Sequence, residues 1–266
     1  RPVWPFQLSR SARPARRCRD SIRHSPGPAR TGRVLAIVYD NFWYTNFQGD
    51  SPGVMEFLMA RARYLDDYLQ SCLDEGLEQL VILGAGYDSR AYRFNQLVAG
   101  QVRVFEVDHP ATQQLKREKL QKVLGQLPDY VVYVPIDFTQ ETLEKRLPES
   151  GYDPQAKTLF TWEGVTYYLS AKVVDDTLGV IRTISPAGSS ICFDYASLST
   201  EALSEEGAKK LREHMKSKFS TEPTKFGIPQ GRLEAFLAER GYVIIEHLSS
   251  SEMEARYLTL PDGSTV

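Results

Sequence analysis

The stretch from Gln79 to Phe94, QLVILGAGYDSRAYRF, constrains this chain most, together with Val102 to Pro110, VRVFEVDHP. A short apolar run feeds a Gly-Ala-Gly turn, and a second apolar run ends in two acids, Glu106 and Asp108. Leu80 to Leu83 has the length and texture of a parallel strand buried on both faces. Gly84 and Gly86 can take backbone angles that a side chain forbids, leaving open the space a ligand would fill. Alone, the glycines serve a tight turn equally well. The acid-tipped strand follows at about the twenty-residue spacing with which α/β folds bring a carboxylate to ribose hydroxyls, and it tips the reading to a nucleoside pocket. A dinucleotide fingerprint wants a third Gly or Ala three residues after the second glycine; Ser89 stands there, inside the bulky, charged insert Tyr87-Asp88-Ser89-Arg90.

Around this feature strands and helices alternate. Strands are predicted at Leu80–Leu83, within Val102–Pro110, and at Tyr130–Ile136, Leu159–Trp162, Ser190–Tyr195 and Val243–Leu248, with Arg256–Leu260 as a seventh. Helices are predicted over Met55–Leu73, from Pro110 to Leu124 with Gly125 as a stop, from Thr139 to Leu147, from Ser170 to Ile184, and over Leu233–Glu239. Val34 to Gly49, rich in aromatic residues, is expected to begin a helical cap. Thr200 to Gly231 is charged and irregular, an expected insertion or lid. Such alternation implies a mostly parallel sheet with helices on both faces.

Net charge of −2 conceals an asymmetry. Residues 1–33 hold nine arginines, no lysine and one acid, Asp20, a net of +8; the remaining 23 basic and 33 acidic residues give −10. The Arg-, Ser- and Pro-rich segment 1–33 has no sustained apolar period and is expected to be disordered. A transit peptide for organelle import, a basic arm, and a non-functional extension compete as its origin; the last is preferred, the absent initiator Met pointing to a fragment or a processed chain. Residues 34–266 then form one domain. An acidic body is a poor nucleic-acid binder, and no apolar run reaches membrane-spanning length. Three cysteines without C-x-x-C spacing fit a reducing, cytoplasmic setting and, with four scattered histidines, offer no metal pattern.

In open parallel sheets ligands bind at the carboxyl ends of the strands. Those ends carry Asp88, Asp108, Asp137, Glu163 and Asp194. Any one of them is as easily a turn or capping residue; a series along one edge is a stronger signal for a ligand rich in hydrogen-bond donors.

GAGYDSRAYRF, FEVDHP and the later TWEGVTYYL resemble the signatures of the leucine carboxyl methyltransferase-like family, in order and with similar spacing from about Asn41 to about Leu248. The resemblance implies a class I methyltransferase, Rossmann-like α/β fold and an S-adenosyl-L-methionine-dependent O-methyltransferase. It implies that Gly84, Ala85 and Gly86 lie beside the cofactor, that Asp108 takes the ribose hydroxyls and that Asp137 and Phe138 frame the adenine. Glu163 then lies near the methionyl portion, and Arg61, with Arg63 as alternative, holds the methionine carboxylate. Arg90 and Arg93 either brace the glycine turn through acidic neighbours or form a cationic socket for an acceptor. Tyr167 and Tyr168 are candidates for lining the acceptor pocket, or are packing. An acceptor carboxylate is ionised near neutral pH and needs no general base, in keeping with the lack of an obvious His or Lys base; a small molecule is the expected partner. The rival readings are a NAD(P)-dependent oxidoreductase, against which Ser89 argues, and a non-catalytic cofactor-binding protein.

Overall fold

The computed structural model describes residues 34–40, 54–137, 141–198 and 225–259. One sheet holds seven strands: β1 (Val34–Asp40), β2 (Gln79–Leu83), β3 (Arg103–Asp108), β4 (Val131–Pro135), β5 (Thr158–Trp162), β6 (Ser190–Tyr195) and β9 (Tyr242–Leu248), every pairing parallel. A separate pair joins β7 (Ser197–Leu198) to β8 (Ile228–Pro229). The order across the main sheet is β4-β3-β2-β5-β6-β1-β9. Strand order therefore reverses between β2 and β5, where open α/β sheets form their ligand crevice.

Helices cover both faces. On one lie α1 (Val54–Asp74), the short α2 (Arg90–Arg93) and α3 (Asn95–Val98), α4 (Pro110–Leu124) and α8 (Ser250–Tyr257); on the other lie α5 (Leu143–Glu149), α6 (Ala171–Ile184) and α7 (Leu233–Glu239). α1 turns Ala60, Tyr64, Leu65, Tyr68, Leu69 and Cys72 onto Leu80, Ile82, Val104 and Leu159. Each such aliphatic side chain, fully buried, contributes roughly 1.5–3 kcal/mol. Tyr68 also donates its hydroxyl to Ser190 Oγ at 2.9 Å, tying helix to sheet with a directed bond. α6 presents Val174, Leu178 and Ile181 to Phe160, Ile191 and Phe193 on the opposite face. The expected stop holds for α4, ended by Gly125 at φ +80°, and α6 is capped at its start by Ser170, whose side chain accepts from the Val173 amide.

Two expectations are corrected. Val34–Asp40 does not begin a helical cap; it is an interior strand, paired with β6 on one side and β9 on the other. Its run VLAIVY is apolar without a helical period, which suits a strand flanked on both edges. The seventh strand is therefore this one and not Arg256–Leu260, because residues to Tyr257 form α8. The signal there was the Ser249/Glu252 capping box, in which each residue's side chain takes the other's backbone amide. The extension 1–33, the rest of the expected cap, Thr139 and most of 200–231 lie outside the described residues. Among the described residues no helix is long and apolar enough to cross a membrane.

Candidate functional site

The turn after β2 sits at the switch point with its conformation fixed by packing. Gly84 has φ +65°, and a Cβ there would lie 2.4 Å from Val165 Cγ2, so side chains are excluded twice over, and the space expected to stay open for a ligand is filled by Val165 at this glycine and remains open only at Gly86. Ala85, buried, donates its amide to the Val107 carbonyl at 3.0 Å, fastening the turn to β3. The Gly86 amide meets Asp108 Oδ2 at 2.5 Å, and Asp108 Oδ1 accepts the His109 amide at 2.7 Å. Asp108 is half-buried at the tip of β3, so one carboxylate joins the glycine turn to the start of α4. Asp137 lies beyond β4, and its carbonyl accepts the Glu141 amide at 2.9 Å. Phe138 lies outside the described residues.

Glu106, two residues before Asp108, is excluded as a ribose ligand because it is wholly buried. Lys116 of α4 places Nζ 2.8 Å from Glu106 Oε1, an ionic contact off the line of a directed hydrogen bond. Burial pushes the Glu106 carboxyl up to about 7, with Lys116 pulling the other way.

A second cluster joins α1 to the ends of β2, β5 and β6. Arg61 donates Nε to Glu163 Oε1 at 2.7 Å and Nη1 to Asp194 Oδ2 at 3.1 Å. Glu163 Oε2 accepts from Arg90 Nη1 at 2.9 Å. Arg90, buried, also pairs with Asp88 at 2.5 Å and Asp66 at 2.9 Å. Burial alone would lower the Arg90 pKa, but Asp88, Glu163 and Asp66 outweigh it and raise it, so the guanidinium stays charged. Of the two roles weighed for Arg90, this is the bracing geometry. Arg93 is more open: it reaches Asp66 at 2.5 Å and Ser89 Oγ at 3.2 Å and lies over the Phe94 ring. Arg63 is exposed, whereas Arg61 is half-buried at the strand ends. Tyr167 is buried beside Arg61, its ring 4.7 Å from that of Tyr168; burial, then the Asp194 charge, raises its pKa.

Sequence reasoning overlooked Asp66 and gave Asp194 no task. Two arginines three residues apart, Arg90 and Arg93, were the signal that an acid would be needed between them. A groove of about 870 Å³ between α5, α6 and the end of α7 contains none of these residues. Among the described residues no group of three or more His, Cys, Asp or Glu is placed to hold a metal ion. What the strand ends offer is a glycine turn with an acid above it, next to a guanidinium between two carboxylates. That combination can take a nucleoside joined to a zwitterion.

A family model described as leucine carboxyl methyltransferase matches residues 27–182. The chain belongs to this family. Arg61, the glycine turn, Asp108, Asp137 and Glu163 all fall within the matched span, and Asp194 falls outside it. The chain is 36% identical over 197 residues to the Bacillus subtilis protein named "Putative S-adenosyl-L-methionine-dependent methyltransferase YktD", covering 73% of this chain and 64% of that one. A Mycobacterium avium protein, named for the same class, is 33% identical over 142 residues, or 53% of this chain and 46% of its own length. The chain thus spans less than two thirds of these relatives. Magnesium protoporphyrin IX methyltransferase from Synechocystis PCC 6803, solved with bound SAH, overlaps 74% of this chain and 81% of its own, with 11% identity and a TM-score of 0.44.

Proposed function

We propose that this chain is an S-adenosyl-L-methionine-dependent O-methyltransferase acting on a small-molecule carboxylate or other oxygen nucleophile. The observation that carries the reading is the Gly86 amide on the Asp108 carboxylate at the sheet's switch point, with Arg61 on the neighbouring strand ends. The residues fit the cofactor's chemistry. Asp108 is a half-buried acceptor suited to ribose hydroxyls, and at Gly86, where a Cβ would meet only the Gly84 carbonyl at 3.7 Å, the turn leaves space for a ligand beside it. Arg61 supplies a cation for a carboxylate, and Glu163 an anion for an ammonium. Asp137, just beyond β4, is the residue assigned to framing the adenine. Bound S-adenosyl-L-methionine supplies a methyl group on an already activated sulfonium.

The chain's own part is alignment and the exclusion of water, since displacement at an activated carbon gains most from positioning. Asp108 and Arg61 fix the two ends of the cofactor, and the buried Arg90 keeps the glycine turn and Glu163 in register. Arg90 is committed to three carboxylates, so of the two arginines Arg93 is the remaining candidate for meeting an acidic acceptor. A guanidinium matches a carboxylate in a bidentate fork that lysine does not reproduce.

Calorimetry tests the cofactor, with binding of S-adenosyl-L-methionine and none of NAD(P) expected; the reverse pattern rejects the reading. The acceptor class is tested by offering acids, alcohols, amines and thiols with labelled methyl donor. Product from amines or thiols alone would reject O-methylation.

A further inference from the structure

Asp194 is the penultimate residue of β6, on the α1 face of the sheet, and its side chain is wholly buried. Oδ1 accepts the Gly164 amide at 2.8 Å, and Oδ2 accepts Arg61 Nη1 at 3.1 Å. The Nε edge of the same guanidinium is held by Glu163 at 2.7 Å. Two carboxylates from adjacent strands therefore fix the plane of the Arg61 head, and such a planar fork is oriented by two contacts where a single one leaves it free to swing. Gly164, at φ +72°, closes the third side: a Cβ there would lie 3.5 Å from Arg61 Nη2.

We propose that Asp194 is a positioning residue, which by gripping Arg61 Nη1 and the Gly164 amide together sets the aim of Arg61 at the carboxylate of the cofactor's methionine portion. This rests on the reading of Arg61 given above. The chemistry of the position favours it. Burial pushes the Asp194 carboxyl up to about 6, offset by Arg61 and the Gly164 amide, while Glu163 adds to the rise. Tyr167 from the turn after β5 and Cys192 from β6 also face this charge. An asparagine would keep the Gly164 bond without burying an anion. The costlier carboxylate gains where a guanidinium has to be held, because hydrogen bonds between charged partners are about twice as strong as neutral ones.

The test is calorimetry on the full chain with two ligands: S-adenosyl-L-homocysteine, and 5′-methylthioadenosine, which lacks the amino-acid portion. Asp194→Asn should weaken S-adenosyl-L-homocysteine by about tenfold or more and leave 5′-methylthioadenosine unchanged. Arg61→Gln should give the same selective loss, and the double variant no further loss. Equal weakening of both ligands, no weakening, or additive losses in the double variant overturns the proposal. Should Asp194→Asn fail to fold, Gly164→Ala strains the φ +72° turn whose amide Asp194 holds and is expected to cause the same selective loss; an unchanged ratio of affinities overturns the proposal. A parent chain that binds neither ligand overturns the cofactor reading and this inference with it. A parent that binds both, with a variant that loses both equally, overturns this inference alone.

Discussion

Two acids on one strand, Glu106 and Asp108, occupy opposite regimes. Asp108 is half-buried and bonded to backbone amides, free to exchange part of that bonding for a ligand's hydroxyls. Asp108→Ala is expected to weaken adenosylmethionine binding roughly ten- to a hundredfold, the worth of a charged hydrogen bond, as measured by calorimetry. Glu106 is buried against Lys116, where breaking the pair costs more than replacing it. Lys116→Met should destabilise by about 3–5 kcal/mol, and the Glu106→Gln/Lys116→Met double variant by much less, in urea unfolding. The pair also carries a pH signature. The folded Glu106 pKa, about 7, lies above its ordinary 4.5, so the native state binds the extra proton between these values. Its contribution to stability is then complete below about pH 4.5 and is lost as pH rises through about 7. Unfolding at pH 5 and pH 8 should show the parent losing about 1–3 kcal/mol more than the double variant; equal slopes would remove Glu106 as the cause.

At the scale of elements, most boundaries were legible. β2, β3, β4, β5 and β6 are apolar runs ended by glycine, proline or an acid, and α4 and α6 carry their own start and stop residues. The two misreadings share a cause. Val34–Asp40 and Ser250–Tyr257 lie at the margins of the domain, where a short window contains little of the partner that decides its conformation. The strand β1 is defined by β6 and β9, each more than 150 residues away. α8 depends on its capping box and on Met253, which is buried in the α1-side core. Ser249→Ala should therefore cost about 0.5–2 kcal/mol, read as a lower urea midpoint. An unchanged midpoint would mean that packing of Met253 alone holds the helix.

At the scale of the whole molecule, charge is divided between a segment 1–33 at +8 and an acidic remainder at −10. The first strand begins at Val34, directly after that segment. Deleting residues 1–33 is expected to leave melting temperature and cofactor affinity intact, because the segment has no periodic apolar face with which to dock. A loss of several degrees on truncation would show that it packs on the acidic body.

The sequence by itself determined the α/β alternation, the glycine turn, the acid at the tip of β3 and the family. All of these are local patterns, written within stretches of some fifteen residues, and their physics of strand burial, backbone freedom and helix capping is local too. Only the tertiary structure decided which charged groups work together. Arg61, Glu163, Asp194, Arg90 and Asp66 come from α1, α2 and the ends of β5 and β6, and nothing in the chain order pairs them. Glu106 and Asp108 look interchangeable as letters, two places apart. The fold separates them by burial: a carboxylate under α4 must be paired with Lys116, and one at the strand's tip is left within reach of a ligand.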